Sequence, residues 1–181
     1  MYPARLFILC GLPGSGKTTR AEQLEERFGA VRMSADDWME RLGIDIWDAE
    51  ARARLEAAQG DLVAPMLRTG TSVVVEWGSW SRSERHALRD IARTAGALVH
   101  LELLDAPVDV LWERVSTRGR EQLAGSRAIT RDDLVEWSDQ IERPTDDELA
   151  DYDPWPPVRA GELPGSPAFP YGNWQPRPRP R

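Results

Sequence analysis

Gly11-Leu12-Pro13-Gly14-Ser15-Gly16-Lys17-Thr18-Thr19 decides the fold, because it stands between the apolar run Leu6-Phe7-Ile8-Leu9-Cys10 and a helical pattern that continues to Phe28. Strand, glycine-rich turn and helix are the setting in which G-x-x-x-x-G-K-T acts as a phosphate-binding loop. Without side chains at Gly11, Gly14 and Gly16 the backbone turns tightly and points successive N–H groups at phosphate oxygens. The new helix adds its unpaired amides and positive dipole end. Lys17 supplies a point charge for β- and γ-phosphates, and Thr18 a hydroxyl suited to Mg²⁺. The whole loop from Gly11 to Thr19, including Leu12, Pro13 and Ser15, is the candidate ATP-binding segment.

The 181 residues can bury one substantial core and leave no length for a second large domain. The expected division is a domain over 1–152 and a tail over 153–181, where proline, glycine and aromatics replace the periodic pattern. That tail is expected to run extended, along the surface or away from it. No apolar run approaches the roughly twenty residues that span a bilayer. The first apolar run is the loop-bearing strand rather than a leader, so a cytoplasmic protein with no membrane partner is expected. Cys10 is the single cysteine, which excludes an internal disulfide and a thiolate metal cluster. The net charge of −7 argues against a broad non-specific nucleic-acid surface while leaving room for a local basic cleft. A monomer or a homodimer fits a chain of this kind.

Further strands are expected at Ala30–Met33, Thr71–Glu76 and Ala97–Leu103. After the first of them comes Ser34-Ala35-Asp36-Asp37, at the carboxyl end of a strand, where open α/β sheets bind ligands. Asp36 is the candidate to orient and deprotonate an acceptor hydroxyl. Ser34 capping the next helix, with both acids favouring its positive end, is compatible with that role. Trp38, Met39, Leu42 and Ile44 are each expected as core packing, with a wall of the acceptor pocket or a flap as the functional alternative. A long helix is expected from Trp47 to Leu67, with Ala51, Leu55, Ala58, Leu62 and Met66 on its buried face. Glu76 ends the β-branched run Val73-Val74-Val75 and stands where phosphate-loop enzymes hold Mg²⁺ or its water. The extra methylene relative to aspartate leaves an acceptor-binding role equally open. Trp77 and Trp80 follow, as ring-stacking or core residues.

Ser81-Arg82-Ser83-Glu84 has the form of a capping box, starting a helix with Leu88, Ile91 and Ala95 on one face. Arg82 and Arg85 are expected as solvated residues, with acceptor binding as the functional alternative. His86 and His100 do not form a metal pattern. Asp105-Ala106-Pro107 starts a helix with Val108, Leu111, Trp112 and Val115 on its buried stripe, and its far end is basic, with Arg114, Arg118 and Arg120, then Arg127. Phosphoryl transfer needs positive charge over the γ-phosphate and a cover that excludes water, so Arg118 and Arg120 are candidate catalytic residues and Arg114 a nucleotide contact.

GLPGSGKTT, RMSADDW, SVVVEWGSW and LWERVSTRGRE, in that order, resemble the small P-loop kinases of the AAA-33 type, which include zeta-toxin-like, chloramphenicol phosphotransferase-like and polynucleotide 5'-kinase-like members. The resemblance covers roughly residues 5–150. It implies a nucleoside-monophosphate-kinase-like α/β sandwich with a parallel sheet of about five strands and an arginine-bearing lid. It also implies ATP and Mg²⁺ at Gly11–Thr19, a general base at Asp36, and lid arginines at Arg118 or Arg120. Polynucleotide kinases tend to carry an arginine three residues after that aspartate, and here the position is Met39. The expected activity is transfer of the γ-phosphate to a hydroxyl of a small molecule. A polynucleotide 5'-hydroxyl acceptor, or a nucleotide-dependent switch with slow ATPase, are the alternatives.

Overall fold

β1 (Arg5–Cys10) is the axis of the sheet, because its residues from Leu6 onward are fully buried and it has a parallel partner on each side. β3 (Val73–Gly78) pairs with one edge, β4 (Leu98–Leu103) with the other, and β2 (Val31–Met33) adds in parallel to β3. The order β2-β3-β1-β4 is an all-parallel sheet whose strands are joined through helices. The computed structural model describes residues 3–118, without the Arg118 side chain, and 127–156.

Continuous apolar runs are what a sheet covered on both faces requires. On one face Phe7, Leu9 and Val74 pack under α1 (Lys17–Phe28) through Ala21 and Leu24. On the other, Leu6, Ile8, Cys10, Val73 and Val75 join the larger core with Val63 and Leu67 of α3 (Ala49–Arg68) and Leu88 and Ala92 of α4 (Arg82–Thr94). Leu111 and Val115 of α5 (Val108–Arg118) and Leu134 of α6 (Arg131–Gln140) complete it. α2 (Ala35–Leu42) is a short helix that follows β2 and packs against α3 and β3, and α7 (Asp146–Leu149) follows α6.

The sheet has four strands among the described residues, not about five. The outer edge of β4 is instead covered by the strap after α7. Asp153 donates its backbone N–H to the Val99 carbonyl at 2.8 Å, its carboxylate accepts the Val99 N–H at 2.7 Å, and Trp155 Nε1 donates to the Leu101 carbonyl at 3.1 Å. Main-chain and side-chain groups of the strap thus occupy the edge groups that a fifth strand would use.

The expected buried face of α3 is displaced by one residue. Gln59, Val63 and Leu67 point inward while Leu62 is 46% exposed. In an alanine-rich helix the apolar periodicity weighs two neighbouring faces nearly equally. β3 starts two residues later than expected and runs past Glu76 to Gly78, because Thr71 and Ser72 belong to the turn and the Ser72 carbonyl receives Val31 N–H at 2.8 Å. Arg85 is likewise no solvated residue; it is fully buried on α4, in the inner stripe with Leu88 and Ala92, where Ile91 and Ala95 are only partly buried.

Candidate active site

The carboxyl ends of β1, β2 and β3 deliver the loop Gly11–Gly16, the start of α2 and Glu76 to one edge of the sheet. The loop is tied by main-chain bonds. Gly11 N–H donates to the Gly78 carbonyl at 3.1 Å, Ser15 N–H to that of Leu12 at 3.1 Å, and Arg20 N–H to that of Gly16 at 3.0 Å. Gly14 has φ +81°, and a Cβ there would lie 2.9 Å from the Leu111 carbonyl, so both conformation and close approach require glycine. At Gly16, with φ +100°, a Cβ would meet nothing within 4 Å; its glycine serves the backbone turn and leaves that side of the loop open.

Lys17 curls back so that Nζ donates to the Leu12 carbonyl at 3.0 Å. Burial pushes its pKa below the usual lysine value, opposed first by the Asp36 carboxylate and then by Glu76. Thr18 Oγ1 donates to Glu76 Oε1 at 2.5 Å. The other Glu76 oxygen lies 3.4 Å from Arg32 Nε and makes no hydrogen bond, although the residue is only 8% exposed. Burial raises the pKa of Glu76, against the Thr18 hydrogen bond and the Arg32 and Lys17 charges. A threonine hydroxyl and a carboxylate side by side, with one buried carboxylate oxygen unsatisfied, fit a hard divalent cation such as Mg²⁺, which takes one or two protein oxygens and completes its shell with water and phosphate.

Ser34 Oγ accepts the Asp37 N–H at 3.3 Å and caps α2, as its sequence position predicts. The two acids behind it then part. Asp37 is held by Arg32, whereas Asp36 projects to solvent, its side chain 68% exposed, and pairs with Arg52 Nη2 at 2.6 Å. Arg52 also reaches Glu56 Oε1 at 3.7 Å. Met39 is fully buried, so it lines no acceptor surface, while Trp38 and Leu42 on the same helix are exposed.

Gln59 joins the parts of this edge. Its Nε2 donates to the Ser34 carbonyl at 3.2 Å and its Oε1 accepts Trp77 Nε1 at 2.6 Å. Trp77 and Trp80 both pack against the larger core. Trp80 also donates Nε1 to the Gly11 carbonyl at 3.2 Å and meets Trp137, which in turn meets Trp47. Arg127 stacks on Trp47 with Cζ 3.9 Å from the ring centroid and grips Asp133 with two 2.8 Å hydrogen bonds.

On the opposite side of the loop, Arg114 Nη1 donates to the Gly14 carbonyl at 3.1 Å. It borders a cavity of about 430 Å³ shared with Ser15, Thr19, Arg20, Gln23 and Leu104. Arg120 and the Arg118 side chain lie outside the described residues.

Arg32, Arg52 and Gln59 were not among the residues expected here. Their signal was present in α3: Arg52, Glu56 and Gln59 continue the Val63–Leu67 stripe toward the helix start, so polar side chains replace apolar ones where that face leaves the core. Arg32 gave no such signal, because a single charge in a three-residue strand does not show which side it takes.

A family model for an AAA domain, AAA_33, matches residues 6–144. No curated protein matches the sequence. Among solved structures, Kti12 of Chaetomium thermophilum in complex with ADP-AlF3 is similar with 25% identity and TM-score 0.58, over 77% of this chain and 81% of that one. A gluconokinase from Sinorhizobium meliloti is similar with 24% identity and TM-score 0.56, over 82% and 80%. A chain of the Pnkp1/Rnl/Hen1 RNA repair complex is similar with 23% identity and TM-score 0.60 over 77% of this chain, which spans only 44% of that chain's length. The latter two likenesses are of fold.

Proposed function

The chain belongs to the AAA_33 family of AAA domains, and from that membership and the walls of the site we propose an ATP- and Mg²⁺-dependent phosphotransferase acting on a hydroxyl of a small molecule. The observation that carries this reading is the arrangement around Lys17. Its ammonium sits within the phosphate loop, Glu76 and Thr18 are coupled beside it, and Asp36 is the largest opposing charge it experiences. The loop read as binding phosphate thus shares its edge of the sheet with an exposed carboxylate, where the acceptor is proposed to bind. The gluconokinase among the similar folds supports a small hydroxylated acceptor, and so do the acidic net charge and the burial of Met39, where polynucleotide kinases tend to place an arginine.

In this reading the unpaired amides at the start of α1, Lys17–Thr19, and the Lys17 ammonium hold the β- and γ-phosphates, and the base and ribose lie toward the cavity bordered by Arg20, Leu104 and Arg114. Thr18, with Glu76 behind it, would hold Mg²⁺, which when bound would supply positive charge to the phosphates. Asp36 accepts the proton of the acceptor hydroxyl as its oxygen bonds to the γ-phosphorus. The bond from that phosphorus to the bridging oxygen breaks, and ADP leaves with the electron pair. Arg52, paired with Asp36 at 2.6 Å, orients its carboxylate. Arg118 and Arg120 are proposed to cover the transferred group.

Labelled-phosphate transfer and ADP release, with sugars, sugar acids, nucleosides, aminoglycosides and 5'-hydroxyl oligonucleotides as acceptors, test the proposal. Transfer to one small-molecule class is expected. Transfer to oligonucleotides alone would replace the acceptor assignment, and ATP binding with no acceptor-dependent ADP release across the panel would overturn the kinase reading.

A further inference from the structure

Arg85 and Glu148 form the most deeply buried charged pair among the described residues, and none of the roles above uses it. Arg85 is 0% and Glu148 1% exposed, and they meet by two bonds, Nε to Oε1 at 2.7 Å and Nη2 to Oε2 at 2.8 Å. Two forked hydrogen bonds satisfy both oxygens, which is what makes such a pair tolerable in a core. The remaining nitrogen, Nη1, donates to the carbonyls of Ser79 and Trp80, each at 3.1 Å. A stripe of apolar residues would fill the same volume without these bonds, so burial alone does not account for the choice.

The carbonyls that Arg85 grips belong to a bent segment. Ser79 has φ +46°, a left-handed conformation that residues with a side chain seldom adopt, and it is buried with its Oγ lacking a hydrogen-bond partner. Gly78 before it has φ +94°, and a Cβ there would lie 2.8 Å from Trp80 Nε1. The bend turns the Trp80 indole toward the phosphate loop, where Nε1 donates to the Gly11 carbonyl at 3.2 Å, while the Gly78 carbonyl accepts the Gly11 N–H at 3.1 Å. Both polar groups of the first loop glycine are therefore held by the segment that Arg85 holds. Glu142 N–H, donated to the Trp80 carbonyl at 2.9 Å, braces it from the other side.

We propose that Arg85 and Glu148 are positioning residues for the phosphate loop, acting through the Ser79–Trp80 bend on Gly11. Glu148 lies in α7, beyond the family-matched residues 6–144, so a short helix outside the common domain sets the geometry at its nucleotide site. The positioning stands on the contacts; its consequence for nucleotide affinity rests on the ATP-binding reading above.

The test is made on the full chain with two variants and two readouts. R85M/E148L keeps a filled core without a buried unpaired charge, so it is expected to fold. Trp80→Phe keeps a ring and removes only the indole N–H. Hydrogen exchange of the nucleotide-free protein is compared at residues 8–16 and at β4, and ATP affinity is titrated separately. Both variants are expected to exchange faster at the loop with β4 unchanged. Each is expected to bind ATP about tenfold more weakly, the size of effect of a lost hydrogen bond. Loop exchange equal to wild type in the folded variants would overturn the positioning role. Faster loop exchange in a wild-type background that binds no ATP would leave that role standing and sink the nucleotide reading.

Discussion

The two walls of the site are built differently. The proposed phosphate wall is main chain: glycines at close approach, bonds from Gly11 to Gly78 and from Ser15 to Leu12, and a half-buried lysine turned onto a carbonyl. The acceptor wall is side chain: Asp36 on Arg52, Asp37 on Arg32, an indole on Gln59, and two exposed apolar residues on α2. Backbone contacts in a packed turn have one arrangement. Ion pairs at a half-wet edge can trade partners when a ligand arrives, because each is worth little alone. By this difference the proposed phosphate wall is a fixed cradle, and the proposed acceptor wall is the part free to adjust to a ligand.

The largest expected effect falls on Asp36, the proposed general base. Asp36→Asn is expected to slow transfer by roughly 10²–10⁴-fold, the contribution of a positioned general base, with ATP affinity unchanged. Equal loss of ATP affinity would erase the distinction between the walls. Next comes Gly14→Ala, which places a Cβ against the Leu111 carbonyl in a left-handed residue. Denaturant unfolding should show a loss of about 1–3 kcal/mol, and nucleotide binding should weaken with it. Arg52→Gln probes the acceptor wall again. Its pair with a largely exposed Asp36 contributes only about 0.2–1 kcal/mol to stability, so unfolding should barely change. The KM for the acceptor should rise several-fold while that for ATP stays constant; a rise confined to ATP would place Arg52 on the wrong wall.

The smallest effect is a pH dependence behind the cradle. His100 is fully buried between Phe7 and Trp155, and its Nε2 lies 2.9 Å from Arg5 Nη1. A guanidinium only donates, so Nε2 accepts, and Nδ1–H donates to the Asp153 carbonyl at 3.1 Å. Burial lowers the His100 pKa, aided by the Arg5 charge and opposed by the Asp153 carbonyl. Because the folded value is depressed, the unfolded chain takes up the proton first. Stability is therefore full above about pH 6.5 and declines as pH falls below it. Thermal unfolding of wild type and His100→Asn between pH 5 and 7 should show this slope in the wild type only.

That Thr18 and Glu76 come to one edge of the sheet was legible because each sits at a fixed offset from a strand end, and the Ser34 cap because a polar run after a short strand often starts a helix. Arg85 was not legible as a core residue. Its partner is 63 positions away in a four-residue helix, and only folding brings the two together. The four-stranded sheet among the described residues, with its covered β4 edge, has the same origin. A proline-rich segment reads as a loop, and nothing in its composition shows that Asp153 and Trp155 would satisfy the edge of β4. Trp155 also lies under Arg20, whose guanidinium is 4.9 Å from the ring centroid and which borders the nucleotide-side cavity.

The sequence by itself determined the parallel α/β architecture and the phosphate wall, because a glycine-rich turn between a buried strand and a helix is local: its residues are neighbours in the chain and their backbone conformations follow from residue type. Tertiary structure alone decided which of two adjacent acids points outward, which arginines attend them and how the loop is braced. Those outcomes depend on contacts between segments far apart in the chain, and a buried charge finds its partner only once the core has closed around both.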